Sequence, residues 1–336
     1  MKLLGRQTWQ FADVFLNTAG TAVGPLESEG PLGDFYDKAY NNLHCNEKNW
    51  ELAERRLMED AVSSCLAKAK LTEKDINFFL AGDLLNQIVS SNYTARGNEI
   101  PFLGIFGACS TSMESLALGA ALVDGGYADR IIAAVSSHNA TAERQFRYPT
   151  EYGGQKPDTA TFTVTGAGAA LVSRERSNVK LTGATIGKVK DLGIKDPFDM
   201  GSAMAPAAAD TIAAHLNETG TNADDYDLIV TGDLSGVGSP ILKMLLQEQE
   251  IDISSNHRDC GLMVYRPDQP VFAGGSGCAC SAVVTYGYLV KELEKGNLNK
   301  ILVVATGALL NPTMVQQKES IPTVAHAVVM EHAKEV

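Results

Sequence analysis

Gly107-Ala108-Cys109-Ser110-Thr111-Ser112-Met113-Glu114-Ser115 opens the apolar run from Leu116 to Val123, and Gly275-Ser276-Gly277-Cys278-Ala279-Cys280-Ser281 opens a second such run. Each word is followed by a glycine turn (Gly125-Gly126; Gly296) and then a buried-looking strand (Arg130 to Val135; Lys300 to Ala305). That spacing suits one strand–helix–strand unit in each case. Only the first word reads as a nucleophile placed where a helix begins.

Further landmarks repeat in the same order. Ile76 to Ala81 is an apolar strand followed by Gly82-Asp83-Leu84, and Leu228 to Thr231 is another followed by Gly232-Asp233-Leu234. Each half closes on a small-residue strand, Thr165 to Val172 and Val324 to Val329. The repetition predicts a layered α/β fold of two pseudo-symmetric halves, 1–177 and 178–336, each containing βαβ units. Helices are expected over Trp50–Ala67, from near Ser202 through Leu216 despite Pro206, and over Pro240–Gln247 with Ser239 as cap. Residues 136–161 lack periodicity, and a connection of that length usually covers a site or an interface.

Composition excludes several classes. The chain of 336 residues carries a formal net charge of -12, which disfavours nucleic acid and anionic lipid as direct partners. No stretch approaches the 18 or so apolar residues of a spanning helix. The six cysteines, two of them one residue apart, make no disulfide framework and imply a reducing, cytosolic-type compartment. Cys278-Ala279-Cys280 lacks zinc-ligand spacing, and neither a Gly-x-Gly-x-x-Gly run nor a P-loop lysine occurs, so no metal and no cofactor is expected.

A buried strand, Phe106-Gly107-Ala108-Cys109, a helix, and about fifty residues later the strand Thr165-Gly166-Ala167-Gly168-Ala169-Ala170-Leu171-Val172 resemble the N-terminal half of thiolase-fold proteins such as the β-ketoacyl-ACP synthase III group. Asn17 to Pro25, Ser136 to Gly154 and Gly274 to Ser281 extend the likeness to the stage V sporulation protein AD family of spore-forming Firmicutes, over essentially the full length. This resemblance implies a thiolase-like fold that binds dipicolinic acid, with or without calcium. It further implies work with other proteins of the spore dipicolinate channel, at the forespore or spore inner membrane, as a peripheral component without a transmembrane segment. Thiolase-fold proteins commonly pair through their N-terminal halves, so a homodimer is expected.

Cys109 matches the acyl-carrying nucleophile of the condensing enzymes, and its place before a helix favours a thiolate or an anionic ligand. The synthase group adds a His and an Asn from its C-terminal half. Here Gly232 stands where that histidine would fall, and Ser276 or Gly277 where the asparagine would. A binding protein is therefore expected rather than an enzyme. The alternative is a thioester-dependent acyl transferase or hydrolase using Cys109, with His138 or His326 as partner. For a planar dicarboxylate, the helix start supplies Cys109, Ser110 and Thr111, and the glycine turn supplies Gly275, Ser276 and Gly277. His138, Asn139, Arg144 and Arg147 follow in the long connection, and Asp83 could meet calcium or cap a helix.

Overall fold

The computed structural model describes residues 1–146 and 155–333. Its frame is two runs of five strands with the same order. In the N-terminal half Phe15–Val23 (β1), Phe78–Asp83 (β2), Phe102–Gly104 (β3), Arg130–Ser137 (β4) and Gly166–Ser173 (β5) lie as β1-β5-β4-β2-β3. In the C-terminal half Val179–Ile186 (β6), Leu228–Thr231 (β7), His257–Asp259 (β8), Lys300–Ala308 (β9) and Thr323–His332 (β10) lie as β6-β10-β9-β7-β8. Within each run the first two pairings are antiparallel and the last two parallel. A short antiparallel contact, Val179 with Leu16 and Lys180 with Phe15, joins β6 to β1.

Helices fill three layers around these sheets. Thr111–Asp124 (α3) and Cys278–Val284 (α7) lie between them, and α7 continues through a π-helical turn into Val290–Glu294. Met113, Leu116 and Ala120 of α3 and Ala279, Val283 and Val284 of α7 share one core with both sheets. Trp50–Ala69 (α1) covers the outer face of the first sheet beside Val89–Asn98 (α2). Met200–Thr219 (α5) and Ser235–Gln247 (α6) cover the outer face of the second. A Cβ on Gly20 of β1 would overlap the carbonyl oxygen of Ala61, so glycine there lets α1 sit directly on the strand.

The helix expected over Pro240–Gln247 begins earlier, at Ser235, and contains Pro240. Its first turn is stabilised from a distant strand: the Asp259 carboxylate accepts the N–H groups of Leu234 and Ser235, both at 2.9 Å. No local cap announces that start. The aperiodic stretch 136–161 also contains a helix, Asn139–Phe146 (α4), too short for periodicity to register.

Candidate functional site

Cys109 sits on a tight elbow between the chain leaving β3 and the start of α3. Ala108 holds φ +51, a conformation non-glycine residues rarely adopt, which turns the following cysteine out of line with the chain. Three hydrogen bonds lock the turn: Ser110 Oγ donates to Gly107 O (2.6 Å), Thr111 Oγ1 donates to Ala108 O (2.6 Å), and Gly107 N–H donates to Thr111 Oγ1 (2.9 Å). The hydroxyls of Ser110 and Thr111 are thus engaged in the elbow, and neither residue lines the cavity beside Cys109. Cys109 itself lines a cavity with Ser276, Gly277 and Thr163.

The group facing Cys109 is Asp233, two residues past the end of β7. Its carboxyl group faces the thiol closely enough for each to shift the other's pKa. Asp233 accepts Gly277 N–H at 3.0 Å and Thr306 Oγ1–H at 2.6 Å. Burial raises the Asp233 pKa to about 7, its hydrogen bonds opposing the shift. Burial, and after it the Asp233 charge, pushes the Cys109 thiol well above its usual range. The helix start was expected to lower that value. Desolvation and a neighbouring carboxylate outweigh the weak terminal dipole.

The cavity at Cys109 holds about 40 Å³, room for a few water molecules. Leu84, Phe106, Phe146 and Leu310 line it and also line an outer vestibule of about 650 Å³. Those four side chains form an apolar neck between the two spaces. Asn86, Gln87, Gln145 and Asn311 supply the vestibule's amides.

The remaining expected residues lie apart. His138 accepts Ala140 N–H on Nδ1 (3.1 Å), so Nε2 carries the proton given to Leu43 O (2.7 Å). Burial lowers its pKa to about 4, and it is a neutral structural imidazole. His326 accepts Gly187 N–H at 3.2 Å and is held neutral by burial in the same way. Neither lines the Cys109 cavity. Asn139 begins α4, its N–H donating to Thr165 Oγ1 (3.1 Å). Arg144 pairs with Glu51 at 2.9 Å and stacks on Trp50, away from the cavity. Arg147 lies outside the described residues. Gly275 O accepts from Ser235 Oγ (2.7 Å).

Asp83 is fully buried and saturated by Leu85 N–H, Ser91 N–H and Ser91 Oγ–H. It caps the turn into α2 and lines neither space. Among the described residues no cluster of three metal-ligating side chains occurs. Sequence reasoning missed Asp233, although its position in the repeated Gly-Asp-Leu turn was the available signal.

Comparison with known proteins agrees with this geometry. The family model described as stage V sporulation protein AD matches residues 5–331. The stage V sporulation protein AD of Bacillus subtilis (strain 168) is 65% identical over 334 residues, 99% of each chain. Among solved structures, the 3-oxoacyl-[acyl-carrier-protein] synthase III of Aquifex aeolicus VF5 aligns with TM-score 0.59 and 11% identity, over 95% of this chain and 99% of that one. Human mitochondrial 3-ketoacyl-CoA thiolase in complex with CoA aligns at 0.57 and 13%, over 96% and 98%. At these identities the two enzymes share the fold alone.

Proposed function

The chain belongs to the stage V sporulation protein AD family and so has a role in sporulation, and on that premise we propose that it binds dipicolinic acid rather than catalysing a condensation. One observation carries the non-enzymatic half of this reading. The thiol at the elbow is paired with a carboxyl group, Asp233, and both groups are pushed towards their protonated forms. A condensing cysteine acts as a thiolate and needs a partner that lowers its pKa, whereas the Asp233 charge raises it.

The ligand identity rests on the family resemblance. The vestibule, with its amides and aromatic walls, has the volume for a pyridine dicarboxylate, and the inner cavity does not. On this reading the protein serves the dipicolinate channel of the spore, moving the acid with calcium during sporulation and germination. It does so in the forespore or spore, docked peripherally on other channel proteins at the inner membrane. No helix among the described residues is long and apolar enough to cross a membrane.

A second copy of the chain is part of the proposal. Among the described residues edge strand β3 is hydrogen-bonded only to β2, and Leu103, Phe106 and Tyr93 are each about half exposed beside it. Isothermal calorimetry with dipicolinate, with and without calcium, tests the binding reading. Saturable heat that disappears in a Phe146→Trp variant supports it, and no heat at millimolar ligand rejects it.

The elbow itself favours one alternative, a thioester-dependent transferase or hydrolase, because Cys109 keeps a strained turn and faces a cavity. Incubation with acyl-CoA followed by mass spectrometry decides between the two. An adduct lost in Cys109→Ser would establish the enzyme.

A further inference from the structure

The four residues of the neck are not held alike. Leu84 follows the saturated Asp83 turn, and Leu310 follows the end of β9. Phe106 belongs to the chain leading into the locked elbow. Phe146 stands at the last position of α4, an eight-residue helix that forms one wall of the Cys109 cavity through Ala142, Glu143 and Phe146.

The two ends of α4 are anchored differently. At its N-terminal end Asn139 N–H meets Thr165 Oγ1, and the buried Glu54 carboxylate accepts from Thr141 Oγ1 at 2.7 Å. Glu54 also accepts from Ser136 Oγ at 3.2 Å, just before the helix. At its C-terminal end the Gln145 side chain bridges the mouth of the vestibule. Its Oε1 accepts Asn86 N–H and its Nε2 donates to Leu84 O, both at 2.8 Å. The Arg144–Glu51 ion pair is half exposed and contributes little, whereas Lys156–Glu143, at 2.8 Å and mostly buried, fastens the middle of the helix and leaves its last turn to Gln145.

We propose that α4 is a lid over the Cys109 cavity, hinged at its buried N-terminal turn, and that the Gln145 amide is the latch that holds it shut. Released from the Leu84–Asn86 backbone, the C-terminal turn carries Phe146 out of the neck and joins the two spaces. A side-chain amide suits this task. It makes two ordinary hydrogen bonds whose partners, once freed, are satisfied by vestibule water, so the latch can open without leaving a buried polar group unpaired. Access to Cys109 is then set by α4 whatever the ligand, so this inference stands or falls separately from the dipicolinate reading.

The test is alkylation of the full chain by iodoacetamide at pH 8, resolved peptide by peptide. Cys278 and Cys280, both fully buried away from the neck, report on the core. Gln145→Ala is expected to raise the Cys109 rate on the order of tenfold, the effect of losing two ordinary hydrogen bonds, with Cys278 and Cys280 unchanged. Gln145→Glu separates a latch from a general packing role. Its ionised carboxylate can accept from Asn86 but repels Leu84 O, and only its protonated form restores both bonds. Read with 2,2′-dipyridyl disulfide, which stays reactive towards thiols at acid pH, the rate ratio of this variant to the parent should therefore fall towards one as the pH drops from 8 to 5. An unchanged Cys109 rate in Gln145→Ala overturns the proposal. So does a parallel rise at all three cysteines, or a Gln145→Glu ratio that ignores pH.

Discussion

The hydroxyls of Ser112 and Ser281 meet at 2.6 Å, one from the first turn of α3 and the other from α7. They join the two halves at the centre of the molecule, as residues near a twofold axis do. Three residues before each serine stands a cysteine, Cys109 and Cys278. Asp233 faces the first, and its counterpart Asp83, in the matching Gly-Asp-Leu turn, lies near the second. The fold thus builds the cysteine–aspartate setting twice. At Cys109 it opens on a cavity. At Cys278 it is sealed: the thiol donates to Ser136 O at 2.9 Å, and the Glu54 and Asp83 carboxyls stand close by.

Replacing either serine by alanine leaves a buried hydroxyl without its best partner and should cost about 1–3 kcal/mol of stability. The double variant should lose less than the two single losses combined, with a coupling of roughly 1 kcal/mol in a double-mutant cycle. Urea unfolding of the four proteins measures it. Strict additivity would mean that the contact joins nothing.

Asp233 gives the protein a defined pH response. Its folded pKa lies near 7, above that of an ordinary carboxyl group. Between those values the folded chain holds a proton that the unfolded chain has released, so stability declines as pH rises from about 4 to 7 and levels off above. One such group contributes a slope of at most about 1.4 kcal/mol per pH unit. Asp233→Asn should flatten the fall in urea midpoint between pH 5 and 7 relative to the parent. Identical slopes in the two proteins would refute the assignment.

The same carboxylate suppresses the thiol. Above pH 7 its charge raises the Cys109 pKa, so Asp233→Asn should speed alkylation of Cys109 at pH 8, on the order of tenfold for a shift near one unit. At pH 6, where Asp233 is already protonated, the variant and the parent should react at nearly the same rate. A slower Cys109 at pH 8 would show that the carboxylate activates the thiol instead.

Edge strand β3 offers a separate test of the proposed second copy. Leu103→Asp places a charge on the exposed apolar edge while leaving the buried core untouched. Sedimentation should show the parent as a dimer and this variant as a monomer at micromolar concentration. A monomeric parent removes the dimer from the proposal.

Much of the fold was legible because repeats and periodicity are local properties. The glycine turns, the two small-residue strands and the helix Trp50–Ala69 all announce themselves in their own neighbourhoods. What escaped was made by distant partners. Pro240 looked like a helix start because the true start at Ser235 is capped by Asp259. Arg144 looked like an anion ligand, yet it lies against Trp50 and Glu51. His138 and His326 looked like bases, yet each is buried against backbone and held neutral.

The cysteine at the head of α3 was determined by the sequence alone, as were the doubled architecture and the family. Those follow from residue order and spacing. Whether that cysteine is a reactive thiolate or a protonated wall of a binding space was decided only by the tertiary structure. Asp233 is 124 residues away along the chain and close enough in space for its charge to act on the thiol. A pKa is set by desolvation and by the charges that surround a group in three dimensions, and neither is written in the residues beside it.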